Sequence, residues 1–180
     1  MDIEIKNASE SDANVVAWIV MAALDIYDDV PEKILNVCKD KNTLYSWENT
    51  RIVYVDGKIA GGLISYPGAK YQTFRDNTWT RCWDESEEYL DSIPQECSTE
   101  EYYLDSMALL SEFRGNGLGR ALILDAVEKA RELGYTNITL LANKHKDGLV
   151  NYYKKIGFEI YGSMIYFEHD YWKMRIQITK

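Results

Sequence analysis

At 180 residues, with 46% hydrophobic and 27% charged side chains, the chain has the size and composition of one soluble globular domain. A formal net charge of −9 argues against a nucleic-acid surface, which should be basic, and no run approaches the roughly 18 apolar residues of a membrane span. Cys38, Cys82 and Cys97 are odd in number and lack metal-ligand spacing; with only His145 and His169 beside them, free thiols are expected rather than a metal site.

The first residues, Met1-Asp2-Ile3-Glu4-Ile5-Lys6, lack the apolar core of a signal peptide, so the expected compartment is the cytoplasm. Their alternation over 2–6 predicts a short strand. Ser9 followed by Asp12 resembles a capping box ahead of a helix reaching about Leu24, whose apolar face is read as Val15, Trp18, Ile19, Ala22 and Ile26. Pro31 suits the first turn of a second helix carrying Ile34, Leu35 and Cys38. Arg51 to Val55, the turn Asp56-Gly57 and Lys58 to Tyr66 predict a β-hairpin.

Residues 67–100 carry two prolines and the aromatics Tyr71, Phe74, Trp79, Trp83 and Tyr89, with weak helical spacing outside 84–92. So long a connection reads as an ordered insertion covering a pocket, or as a purely structural flap. Residues 101–110 then predict a strand, and about 116–133 a helix burying Leu118, Leu122, Ala126 and Ala130 with Ile123 and Val127, capped by Gly134. Tyr135 to Ala142 predicts a buried strand with Ile138, Leu140 and Leu141 inside. Asp147 caps a helix with Leu149, Val150, Tyr153 and Ile156, closed by Gly157, and 158–178 forms two further strands. No repeat, low-complexity segment or linker interrupts the pattern. The expectation is a single α/β domain over 1–180 with a mixed sheet and an insertion at about 67–100.

The most informative stretch is Arg114-Gly115-Asn116-Gly117-Leu118-Gly119-Arg120, set between the predicted strand and helix. Glycines let the backbone approach a ligand closely, and the helix aims its unpaired N–H groups and positive dipole end into the same loop. Strand, glycine loop and helix start together form an anion site, and Arg114 and Arg120 suit more than one phosphate charge. Two nucleotide motifs fail here. A P-loop needs Gly-Lys-Ser/Thr, but Gly119 is followed by Arg120-Ala121; the dinucleotide pattern needs a third glycine where Leu122 stands.

Charge is unevenly spread. Asp84, Glu85, Glu87, Glu88, Asp91, Glu96, Glu100 and Glu101 crowd the middle, whereas Arg114, Arg120, Lys144, Lys146, Lys154 and Lys155 share the half holding the glycine loop. A cationic substrate and a polyanionic cofactor fit this split; a solvated acidic surface is the alternative.

The second half resembles the GNAT superfamily of acyl-CoA-dependent N-acetyltransferases. Residues 104–119, Leu-Asp-Ser-Met-Ala-Leu-Leu-Ser-Glu-Phe-Arg-Gly-Asn-Gly-Leu-Gly, are similar to the family's strand and Gln/Arg-x-x-Gly-x-Gly loop. Asn143, then Asn151-Tyr152-Tyr153-Lys154-Lys155-Ile156-Gly157-Phe158, is like its Tyr-Glu-Lys-x-Gly-Phe signature. Ser111, where proline is common, and Leu149, where alanine is common, depart from the pattern without removing a chemical group.

The resemblance implies a mostly antiparallel mixed sheet with helices on both faces. It implies that backbone groups of Met107, Ala108 and Leu109 hold the pantetheine arm and thioester carbonyl. The amides of Arg114, Gly115, Asn116, Gly117, Leu118, Gly119 and Arg120 would bind the pyrophosphate, and Asn143 would touch the cofactor opposite. The implied activity is transfer of an acetyl group from acetyl-CoA, as co-substrate and without a metal, to an amine of a small molecule or peptide by direct attack in a ternary complex. A non-catalytic acyl-CoA-binding or sensing module is the alternative. No nucleic acid or membrane is expected as partner, and a homodimer is left open.

Tyr153, at the family's matching position, is the expected general acid for the departing thiolate, with simple packing as its alternative role. Asp105 is expected on one face of its strand with Tyr103 and Met107, as the base or as a ligand for a cationic substrate, with a structural role equally open. Glu101 and Tyr103 are weaker bases. Trp47 and the aromatics of 67–100 are candidates for the acceptor pocket.

Overall fold

A computed structural model describes residues 1–179. Among them, the strands are β1 (Ile3–Asn7), β2 (Thr50–Val55), β3 (Lys58–Pro67), β4 (Tyr102–Leu109), β5 (Asn137–Asn143), β6 (Glu159–Tyr166) and β7 (His169–Gln177). They form one sheet in the order β1-β2-β3-β4-β5-β7-β6. Every neighbouring pair is antiparallel except β4 and β5. The hairpin turn is as expected: Asp56 and Gly57 both take positive φ, 48° and 76°, the pairing a type I′ turn demands.

Helices α1 (Ala13–Ala23), α2 (Glu32–Lys39), α3 (Tyr71–Cys82) and α4 (Glu87–Ser92) cover one face of the sheet. Helices α5 (Leu118–Glu132) and α6 (Asp147–Ile156) cover the other. The mixed, mostly antiparallel sheet between two helical layers agrees with the expectation. Leu118, Leu122, Ile123, Ala126, Val127 and Ala130 of α5 are buried as their spacing predicts, and each fully buried leucine or isoleucine contributes about 1.5–3 kcal/mol.

Three local expectations are corrected. The deeper face of α1 is Ala13, Val16, Ala17, Ile19, Val20 and Met21, with Val15, Trp18 and Ala22 only partly covered. The helix is apolar nearly all round, so periodicity does not fix its orientation; the sheet and α2 do. Within the insertion, a full helix (α3) stands where spacing looked weak. Its inner stripe is Tyr71, Phe74, Arg75, Thr78, Trp79 and Cys82, and the two polar members hide the pattern. Arg75 is buried against its own neighbour Asp76, with Nε 3.0 Å from Oδ1. Thr78 donates to Phe74 O at 2.6 Å and accepts Leu44 N–H at 2.8 Å, so its hydroxyl is fully used. Finally, Lys146 rather than Asp147 occupies the N-cap of α6, and Asp147 is its first residue. The Ser9–Asp12 capping box does form, with Ser9 N–H donating to Asp12 Oδ2 at 2.8 Å.

Candidate active site

The sheet opens at its centre. β4 and β5 pair only at Tyr102–Ile138 and Tyr103–Thr139, after which the strands diverge. The rest of β4 pairs with β3 on one side and faces a gap on the other. Leu110 N–H donates to Ala60 O at 2.9 Å, and this sets the alternation along the ladder. Ala108 therefore directs its main-chain groups to Gly62, while those of Met107 and Leu109 turn to the gap. Ala108, expected to offer backbone groups to a ligand, turns them towards β3 in this register. The Leu109 carbonyl accepts from Arg114 Nε at 3.0 Å, which leaves the Leu109 N–H and both Met107 groups facing the gap.

The glycine loop sits at the end of this strand. Gly115 and Gly117 take φ of 81° and 79°, a region where a side chain is strained. Among the described residues no backbone or side chain accepts from the N–H groups of Gly115, Asn116, Gly117, Leu118, Gly119 or Arg120. Arg114 differs: its N–H donates to Ser111 O at 3.3 Å, so only its side chain and not its amide is left for an anion. A Cβ on Gly119 would lie 2.6 Å from the Tyr152 hydroxyl, which stands over the first turn of α5. Free amides, a helix N-terminus and exposed Arg120 suit a pyrophosphate. The residues present thus fit coenzyme A.

A β-bulge shapes the chemistry. Ile64 pairs with Ser106 and Ser65 with Leu104, so Asp105 is the extra residue. The bulge shifts the alternation. Met107 packs with the α5 face, whereas Tyr103 belongs to the opposite core, so the expected shared face of Asp105, Tyr103 and Met107 does not hold. Asp105 accepts from Tyr66 Oη at 2.5 Å and from Ser106 Oγ at 2.6 Å. Burial pushes its carboxyl above the usual range, against the pull of these two hydroxyls.

Asp105 and Tyr153 nonetheless meet. Both line a void of ≈ 30 Å³ between the diverging strands, together with Ser106, Met107 and Leu141. Both also line a cavity of ≈ 820 Å³ bounded by Asn143, Leu149, Trp79, Trp83, Glu96 and Tyr166 among others. The Tyr153 ring packs edge-on against Phe158 at 5.6 Å, and its hydroxyl has no hydrogen-bond partner among the described residues. Burial pushes the phenol up to about 12. Asn143 Oδ1 accepts from His145 N–H at 2.9 Å, and the residue lines the cavity at the end of β5.

Sequence reasoning did not single out Glu96. It lies in the insertion, where it is one acid among many, without periodicity or motif. In the fold it accepts from Tyr103 Oη at 2.7 Å, and from Tyr71 Oη and Tyr166 Oη at 3.1 Å each. Burial, then the adjacent Asp105 charge, pushes its carboxyl well above the usual carboxylate range, with the three phenols pulling the other way. Glu101 is occupied elsewhere, accepting from Tyr161 Oη at 2.8 Å and Ser98 N–H at 2.8 Å. Trp47 lies outside the cavity, beside Lys41, whereas Trp79 and Trp83 of the insertion line it. The turn between β6 and β7 reaches over the same space, where Phe167 stacks on Trp79 at 5.0 Å.

A sheet opened between two parallel strands, with a glycine anion loop at the opening, defines the fold of the N-acetyltransferases. The chain belongs to the acetyltransferase (GNAT) family, whose model matches residues 17–158, and by that membership it is an N-acetyltransferase. A solved N-acetyltransferase from Staphylococcus aureus Mu50 aligns with a TM-score of 0.78 at 21% identity, covering 96% of this chain and 100% of that one. A second, yncA of Salmonella typhimurium, solved with acetyl-CoA, aligns at a TM-score of 0.64 with 14% identity over 100% of this chain and 96% of that one. At such identities these likenesses speak for the fold alone. In sequence, an uncharacterized N-acetyltransferase of Methanocaldococcus jannaschii is 40% identical over 48 residues, 27% of this chain and 21% of that protein's length. Among the described residues no helix is long and apolar enough to cross a membrane.

Proposed function

We propose that this chain moves an acetyl group from acetyl-CoA to a primary amine by direct attack in a ternary complex. The observation that carries this reading is the convergence of Asp105 and Tyr153 on the gap between β4 and β5, beside the unpaired amides of residues 115–120. Acetyl-CoA supplies an activated acyl thioester. Met107 and Leu109 would orient it through main-chain groups, the Met107 or Leu109 N–H polarising the thioester carbonyl as an oxyanion donor. The loop amides and the Arg114 and Arg120 side chains would neutralise the pyrophosphate.

An amine attacks only when neutral, so its ammonium must lose a proton. Asp105 accepts it, directly or through a water the size of the ≈ 30 Å³ void. Its raised pKa brings the carboxylate nearer to working pH, where a base is most effective. Tyr153 then gives its proton to the departing sulfur. At about 12 the phenol keeps its proton at neutral pH, and the same burial disfavours the thiolate it protonates.

Two expected results test this. Calorimetric titration gives micromolar binding of acetyl-CoA and coenzyme A, none of ATP, and loss of binding in the Arg114→Ala, Gly117→Ala double variant; a protein that binds no CoA species would overturn the reading. In kcat/KM against pH, activity falls on the acid side as Asp105 gains its proton. Asp105→Asn removes that limb and lowers kcat/KM by about 100-fold, whereas an unchanged profile would exclude Asp105 as base.

A further inference from the structure

Glu96 and Asp105 are two neighbouring carboxylates on the wall of one cavity, and neither has a cationic partner. Among the described residues no Lys, Arg or His forms an ion pair with either of them. Buried negative charge without a counter-charge is costly, and proteins ordinarily pair it. What surrounds them instead is hydroxyl groups: Tyr71, Tyr103 and Tyr166 on Glu96, Tyr66 and Ser106 on Asp105. These donors fix both carboxylates in place but bring no positive charge. An ionised carboxylate accepts about four hydrogen bonds, so one acceptor site remains on Glu96 and two on Asp105. A primary ammonium offers that number of donors.

The rest of the cavity constrains what the ammonium is attached to. Its wall carries Tyr45, Trp79, Trp83 and Phe167, with Leu44 and Ile26 beside them. Trp79 is 6% exposed, so it presents only part of its ring to the cavity. Basic side chains are scarce there. Lys146 is engaged by Asp25 at 2.8 Å, and His169 is the other basic residue on the wall. A substrate carboxylate or phosphate would meet Glu85, Glu96 and Asp105, with only Lys146, already paired to Asp25, and His169 on the wall to receive it.

Resting on the acetyltransferase reading above, we propose that the acceptor is a primary amine on an apolar body without a carboxylate, an arylalkylamine fitting best, and that Glu96 with Asp105 grips its ammonium. The insertion at 67–100 thereby supplies much of the specificity: it brings Trp79 and Trp83 to an aromatic wall completed by Tyr45 and Phe167, and the segment after α4 brings the second carboxylate.

The test is quenching of tryptophan fluorescence, since Trp79 and Trp83 line the cavity, in titrations with 2-phenylethylamine, L-phenylalanine and 1,4-diaminobutane, with and without coenzyme A present. On the wild-type protein, 2-phenylethylamine is expected to bind at least about tenfold more tightly than either comparison compound. Glu96→Gln, which keeps an acceptor for the phenols, is expected to weaken the amine at least about tenfold, with partial recovery in Glu96→Asp. Equal or tighter binding of the amino acid or the diamine, no binding of the amine, or an unaltered affinity in Glu96→Gln would each overturn the proposal. The wild-type ratio needs no variant to fold, and binding of coenzyme A is read separately, so loss of the acetyltransferase reading (no CoA binding) is distinguished from failure of the amine site (CoA bound, amine not).

Discussion

Tyr153→Phe lowers kcat by at least about 100-fold while leaving the acetyl-CoA Kd within about twofold, the loss typical of a missing general acid. The substitution removes one oxygen and keeps the ring that packs edge-on against Phe158. It leaves no hydrogen bond broken among the described residues, so neither folding nor cofactor affinity has a reason to change. Tyr153 lines the same small void as Asp105 and Met107. Steady-state kinetics across pH, with calorimetry on the same preparation, separates the two roles open to this side chain. A variant with full kcat at all pH values would make Tyr153 a packing residue only.

The second large effect is structural. Gly61→Ala is expected to cost on the order of 3 kcal/mol and to lower Tm by about 6–12 °C for a domain of this size. An alanine Cβ would lie 2.2 Å from the Ala108 carbonyl oxygen and 2.8 Å from Leu109 Cα, both backbone atoms that no rotamer change can move. The φ of +152° at Gly61 adds strain of its own. The cause lies next door: Val53 pairs with Gly61 but Tyr54 with Ile59, so Ala60 is an extra residue that bends β3 onto β4. Relief of the clash pushes β4 outward at Ala108 and Leu109, and acetyl-CoA affinity falls about tenfold with it. Thermal unfolding and the same titration check both halves. A variant that unfolds within 2 °C of wild type, roughly the scatter of the measurement, would show that the two strands yield more easily than packed backbone should.

The parts of this site that could be read from sequence are those carried by consecutive residues. The glycine loop keeps its meaning in any register, because Gly115 and Gly117 need positive φ and the helix start lies beside them. Tyr153 was legible for the same reason, lying at a fixed distance from Gly157. Asp105 was legible as a carboxylate near the gap but not in its orientation, since one bulged residue reverses the faces beyond it and alternation alone does not announce a bulge. Glu96 was not legible. Its three phenolic partners, Tyr71, Tyr103 and Tyr166, come from a helix, a central strand and the last hairpin, and only the closed fold brings them together. The α3 helix was masked by Arg75 and Thr78, whose polarity is satisfied locally by Asp76 and by the Phe74 carbonyl.

The brief pairing of β4 with β5 bears on more than the cleft. A sheet transmits cooperativity through its ladders, and here the ladder between the first four strands and the last three has two rungs. Each part has its own antiparallel network, and what ties the two across the seam is side-chain packing rather than the ladder: residues of both parts share the core on each face of the sheet. Backbone continuity is thus weakest where the site lies. A ligand lying along that seam, bonded to Met107 and Leu109 on one bank and to Asn143 on the other, would do the joining that the backbone leaves undone.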